Sequence, residues 1–211
     1  MTTTTAHTTS IATVTLEVTD VDAARRFYTA FGVDAYIQLR EASENTGGFR
    51  GFTLALTVSQ PATVDAFLDV AVEAGAEAIK PAAKSLWGYG GVVQAPDGTI
   101  WKVATSAKKN TGPATRDIDE VVLLLGVDDV KAARNFYVER GLTVGRSFGG
   151  TYAEFASDAS SPVEFALYKR KGLAKDLGVS VDGSGSHRVV IGGGASNFVD
   201  LDGFVWEAAG R

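Results

Sequence analysis

The chain has 211 residues, 45% of them hydrophobic and 21% charged, a composition that supports one large or two small globular cores. Its formal net charge of −5 argues against nucleic acid as the main partner, because phosphate binding calls for a basic face. Cysteine is absent, which excludes disulfides, thiolate zinc sites and cysteine nucleophiles, and no stretch approaches the ~18 apolar residues of a membrane span.

Residues 1–9, from MTTTTAHTTS, read as a polar tail without the basic-then-apolar order of a secretory leader, and His7 within it has no evident role. With no need for an oxidising compartment, the expected location is cytoplasmic. IATVTLEV at 11–18 has the composition of a strand. DVDAARRFY at 20–28 starts a helix, because Val21, Ala24, Tyr28 and Phe31 fall on one face. Asp20 is placed to cap its start and Gly32 to end it. FTLALTV at 52–58 is a second strand. PATVDAFLDVAVEAGA then makes the clearest helix in the chain, with Pro61 in its first turn and Gly75 at its end. Its apolar stripe is Val64, Phe67, Leu68, Ala71 and Val72. AEAIK, GGVVQA and, past the turn at Asp97-Gly98, TIWKVA read as three more strands. Between them SLWGYGG, 85–91, reads as a flexible aromatic loop. Its Trp87 and Tyr89 either cover a ligand by stacking or cap a core.

SAKKNTGPATRD, 106–117, is polar with Gly and Pro and is the linker between two halves, 10–105 and 118–211. The second half opens on IDEVVLLLGV, 118–127, where Glu120 interrupts an apolar run, and continues with a helix at 129–140 ended by Gly141. Strands at 142–147, 151–156 and 163–169 follow. KRKGLAKDLG, 169–178, reads as a short solvated helix in preference to an anion site. GSGSHRVVIGG then leads to the last segment, DLDGFVWEAA at 200–209. There is no dinucleotide fingerprint and no phosphate-cradling glycine loop, so no nucleotide cofactor is expected, and no Ser/His/Asp arrangement identifies a catalytic residue.

Two repeats organise the whole. DVDAARRFY recurs as DVKAARNFY at 129–137, and APDGTIWKVA at 95–104 recurs in DLDGFVWEAA, with Lys102 and Glu207 after the two tryptophans. These motifs, in this order, resemble the glyoxalase / bleomycin-resistance / extradiol-dioxygenase superfamily, the vicinal oxygen chelate fold. The resemblance implies an α+β chain of tandem βαβββ modules forming curved-sheet cups. Two modules are complete, roughly 50–105 and 118–170, and two are abbreviated. About a dozen residues between AYIQLR and FTLALTV are too few for two further strands at ~3.3 Å per residue. The strand count favours pairing of the complete modules with each other, with sequential pairing within each half as the alternative.

Carried onto this chain, the metal-ligand positions of the family fall in the second half on Glu120, His187 and Glu207. That set would hold a divalent ion (Mn, Zn, Ni, Fe or Mg). In the first half they fall on Thr13, Phe52 or Thr53, and Lys102, where an ammonium would repel a cation. That cup is expected to be metal-free, with Trp87, Tyr89 and Lys102 as candidate ligand-binding residues. His187 reads equally as a residue bonded to backbone, and Glu120 and Glu207 as acids sharing a proton or as solvated charges. Two functions follow. The preferred one is a protein that binds or sequesters a small organic molecule, as bleomycin-resistance proteins do. The alternative is a metal-dependent lyase, isomerase or dioxygenase using Glu120, His187 and Glu207. Small molecules are the expected partners, nucleic acid and membrane are not, and homodimerisation is left open.

Overall fold

A computed structural model of the chain describes residues 10–44, 46–159, 161–194 and 196–208; His7 and the rest of the tail lie outside them. In chain order the first half runs β1 (Ile11–Val18), α1 (Val21–Phe31), β2 (Gln38–Glu41), β3 (Gly47–Gly48), β4 (Phe52–Thr57), α2 (Pro61–Glu73), β5 (Glu77–Ser85), β6 (Gly88–Gln94) and β7 (Ile100–Thr105). The second half runs β8 (Glu120–Val127), α3 (Val130–Val138), β9 (Val144–Phe148), β10 (Tyr152–Phe155), β11 (Glu164–Lys169), α4 (Arg170–Leu177), β12 (Gly183–Ser184), β13 (Val189–Gly193), β14 (Phe198–Val199) and β15 (Val205–Glu207). Among the described residues no helix is long and apolar enough to cross a membrane.

The helices form for the reasons their sequences give. Asp20 accepts from the Ala23 amide at 2.8 Å, and Asp129 accepts from Lys131 and Ala132 at 2.9 and 3.0 Å, so both copies of the repeat carry the same N-cap. Gly32 closes α1 at φ 84, a left-handed conformation that costs glycine little. In α2 the expected stripe is buried except for Val72, which is 46% exposed. The buried stripe is therefore narrower than the sequence pattern suggested.

The repeats lock together across modules. Tyr28 of α1 donates its hydroxyl to Asp97 at 2.8 Å and packs its ring 5.8 Å from Trp101. Tyr137 of α3 does the same with Asp200 at 2.5 Å and Trp206 at 5.4 Å. Each helix of the D-x-x-A-A-R-x-F-Y type thus docks on the Asp-turn-Trp strand of the following module. All four aromatic side chains are at most 1% exposed, so these contacts anchor the core.

The two complete modules join in one eight-stranded sheet of order β5-β6-β7-β4-β8-β11-β10-β9. The expected pairing between them is the antiparallel ladder of β4 with β8, from Phe52 opposite Leu125 to Thr57 opposite Glu120. The abbreviated modules form a second sheet of order β14-β15-β13-β1-β2, and β3 pairs with β12. Inward-facing residues of both sheets, such as Val14, Leu54, Leu123 and Ile191, belong to one hydrophobic cluster together with the faces of α1, α2 and α3.

Strand alternation decides which residues face away from that core. On β4 and β8 these are Thr53, Ala55, Thr57, Glu120, Val122 and Leu124, whose neighbours within the two strands are buried. This outer face of the eight-stranded sheet is the cup. Helix α4 crosses part of it. Leu173, Ala174 and Leu177 are buried in a separate small cluster with Val92 and Ile100. The helix can sit this low because β8 carries Gly126 beneath it, where a Cβ would lie 3.3 Å from both Arg170 Cα and Leu173 Cδ2. KRKGLAKDLG is therefore a cover with an apolar underside, where the sequence suggested a solvated helix.

Candidate functional site

The uncovered part of the cup is a cavity of about 320 Å³. Its floor is Ala55, Val122 and Leu124 from the central strands, with Leu173 of α4 as one wall. Polar groups project into it from β7 through β9. Register places them on one face: Glu164 beside Val122 on β11, Glu154 beside Ala166 and Arg146 beside Glu154 on β10 and β9.

Hydrogen bonds order this wall. Arg146 grips Glu154 through Nε and Nη2 at 3.2 and 3.1 Å, a bidentate fork, and Tyr152 donates to the same carboxylate at 3.0 Å. Burial and the adjacent Glu154 charge push the Tyr152 phenol above its usual range. Ser157 donates to Glu164 at 2.5 Å. Lys102 reaches across the cup to Asp176 on α4 at 2.6 Å, and Lys80 donates to the Asp176 carbonyl at 2.8 Å, which pins the helix over the sheet. Glu120 has no ion pair among the described residues, only a long 3.5 Å contact from the Thr57 hydroxyl. Its carboxyl is raised above the ordinary value, first by burial and then by Glu164 and Glu154 nearby.

The three residues expected to hold a metal are not brought together. Glu120 lines the cavity of the eight-stranded sheet, whereas Glu207 lies on β15 of the five-stranded sheet and pairs with Arg40 at 2.9 Å. Arg40 also binds Glu17 at 2.8 Å, so a guanidinium bridges the two carboxylates of that sheet. His187 precedes β13 and stacks on Phe204 at 3.9 Å, with Nδ1 and Nε2 facing the carbonyls of Arg50 at 2.5 Å and Asp202 at 3.0 Å. Both ring nitrogens are engaged with backbone. The physical reason is module pairing: the ligand set needs both modules of the second half in one cup, whereas the complete modules pair with each other through β4 and β8 and the abbreviated ones form the five-stranded sheet.

The candidate ligand-binding residues of the first half lie around the same region. Lys102 lines both the cup of Glu120 and a groove beside it. The segment 85–91 is a tight hairpin between β5 and β6, with Trp87 84% exposed at its tip. Tyr89 points its hydroxyl to Asp65 of α2, at 2.8 Å, on the face away from the cup. Trp87, Tyr89 and Lys102 together border a neighbouring groove of about 340 Å³ on the far side of the Lys102–Asp176 pair.

A metal centre of the family's kind does not fit these residues. No imidazole faces the cavity, and among the described residues no three His, Asp or Glu side chains are grouped to hold an ion. Lys102 presents an ammonium where a ligand would be needed, and Thr53 donates its hydroxyl to the Ile100 carbonyl at 2.8 Å. Glu154, Glu164, Tyr152 and Arg146 were not singled out from sequence. A signal for three of these four was present in TYAEF and VEFALYK, where Tyr152 and Glu154, and Glu164 and Tyr168, fall on one side of the strand alternation against apolar neighbours.

No model of a known protein family matches the sequence, and no curated protein matches it. Solved structures do resemble the fold. Glyoxalase I from Zea mays superposes with a TM-score of 0.60 at 14% identity, over 95% of this chain and 92% of that one. Its V278E mutant gives 0.61 at 14% identity, over 95% and 92%. A candidate dioxygenase from Bacillus subtilis strain 168 gives 0.58 at 9% identity, over 95% and 84%. At such identities the likeness establishes the architecture, not the chemistry.

Proposed function

Because the chain has the glyoxalase, or vicinal oxygen chelate, fold, we propose that it binds a small organic molecule in the cup of its eight-stranded sheet, as a sequestering protein. The observation that carries this reading is the cavity at the β4–β8 junction. It has an apolar floor and a few fixed polar groups, and its volume is in the range of small-molecule sites. The bidentate Arg146–Glu154 pair and the pinned α4 hold the walls before any ligand arrives, which lowers the ordering cost of binding.

The alternative of a metal-dependent lyase, isomerase or dioxygenase draws no support from the donor set of the cup. One observation favours an enzymatic reading without metal. Glu120, its carboxyl raised by burial and like charge inside a cleft, has the character of a general acid or base.

A thermal-shift screen with a diverse set of small organic molecules tests the binding reading, using Val122→Trp as control. The substitution fills the cavity from the solvent-side face of β8 and leaves the core face alone. Ligands that raise the melting temperature of the wild type should fail to do so in V122W. Stabilisation that persists in V122W would place binding elsewhere.

A further inference from the structure

The proposed cup has a sign, and we infer that its ligand is an organic ammonium, a compact cation seated at Glu120 on a flat apolar body. This rests on the cup being the binding site and names the class of molecule it takes.

Four carboxylates line the cavity, Glu120, Glu154, Glu164 and Asp176, against two cations, Lys102 and Arg146. Both cations are already committed. Lys102 is held by Asp176 at 2.6 Å, and Arg146 spends two nitrogens on Glu154. The Ser157 hydroxyl on Glu164 supplies a hydrogen bond but no charge. The uncompensated negative charge is therefore at Glu120 and Glu164, on adjacent strands β8 and β11 and at the same end of the cup. A neutral or anionic guest would leave these carboxylates repelling each other as their surroundings dry. A cation between them removes that cost and adds charge-assisted hydrogen bonds.

The second observation is aromatic and independent of the acids. Tyr168, Tyr152 and Phe148 run across β11, β10 and β9 on this same face, with ring centroids 6.1 and 6.0 Å apart. Phe148 is 63% exposed, a large apolar ring left open beside the cavity. The open Phe148 ring offers a face on which a flat apolar body can stack, and ring faces attract a cation. Carboxylates at one end and open rings along the side fit a molecule that is cationic at one end and apolar along its length.

Isothermal titration calorimetry with three isosteric probes tests this: 1-naphthylmethylammonium, 1-naphthalenemethanol and 1-naphthoate. The wild type should bind the ammonium, at least about tenfold more tightly than the alcohol, and the naphthoate most weakly. Glu120→Gln should weaken the ammonium about tenfold and leave the alcohol unchanged. Added salt should weaken the ammonium and spare the alcohol. If alcohol or naphthoate binds as tightly as the ammonium, or E120Q has no effect on it, the inferred class is wrong. Binding of those probes that is lost in V122W would still leave the cup as the site. Binding indifferent to both E120Q and V122W would overturn both readings.

Discussion

At the scale of single residues, Glu120 is where sequence and chemistry meet. A carboxylate opening an otherwise apolar strand was conspicuous in IDEVVLLLGV, and the structure puts it in the cup with its charge uncompensated. Its raised carboxyl has a consequence for stability. Below the unfolded-state value the folded and unfolded forms are both protonated, and no penalty arises. As pH climbs from there through the raised folded value, the folded state must ionise a group it disfavours, and stability is lost. Glu120→Gln removes that loss, so its melting temperature relative to wild type should rise as pH climbs above the ordinary carboxylate range and then level off. A difference that stays flat over that climb would show that the carboxyl is not perturbed. Affinity for a cationic probe should follow the opposite course, strengthening with pH in the wild type and losing that dependence in E120Q. Glu154, Glu164, Tyr152 and Arg146 were harder to read from sequence. Alternation of polar or tyrosine side chains with apolar ones shows that a strand has a polar face, but which face becomes a cup depends on the partner strand.

At the scale of elements, the duplicated helix-and-tryptophan motif was legible because both members recur with the same residues. Its meaning was not. The hydrogen bond from Tyr to Asp joins positions 69 and 63 residues apart in the two copies, a contact that local pattern does not encode. The copies differ in one respect that can be measured. Tyr137 both donates to Asp200 and accepts from Trp206 Nε1 at 3.2 Å, whereas among the described residues the Trp101 indole nitrogen faces the Tyr28 hydroxyl without a hydrogen bond of ordinary geometry. Tyr137→Phe should therefore cost about 2 kcal/mol in urea unfolding and Tyr28→Phe about 1 kcal/mol. Equal losses would mean that the indole bond contributes nothing. Helix α4 was misread because its buried residues, Leu173, Ala174 and Leu177, are separated by charges and find Val92 and Ile100 of the other half as partners. Leu177→Ala should cost roughly 2–5 kcal/mol locally. Amide exchange should then rise in residues 170–181 and remain unchanged in α1 and α2. Uniform acceleration throughout the chain would show that α4 is part of the global folding unit.

At the scale of the molecule, the central pairing was accessible from strand counts, since only the inner modules have room for full sheets. What the counts left open was the destination of the outer modules. They pair with each other, so Glu207 sits on β15 of the five-stranded sheet and His187 just before β13, bonded to backbone, while Glu120 remains in the eight-stranded sheet. A ligand set spread over sequence is meaningful only once module pairing is known. The same pairing makes the halves interdependent: β4 and β8 complete each other's edges, as β1 and β13 do. Calorimetry should record one cooperative transition for the whole chain, and two well-separated transitions would contradict a shared core.

The central claim, that the cup at the β4–β8 junction is the binding site, is tested most directly by methyl-labelled NMR titrated with 1-naphthylmethylammonium. Resonances of Ala55, Val122, Leu124 and Leu173, which line the cavity, should shift together with one saturation curve, and E120Q should displace that curve to higher concentration. Shifts confined to Thr15 and Val190 on the five-stranded sheet, with those four unmoved, would contradict it.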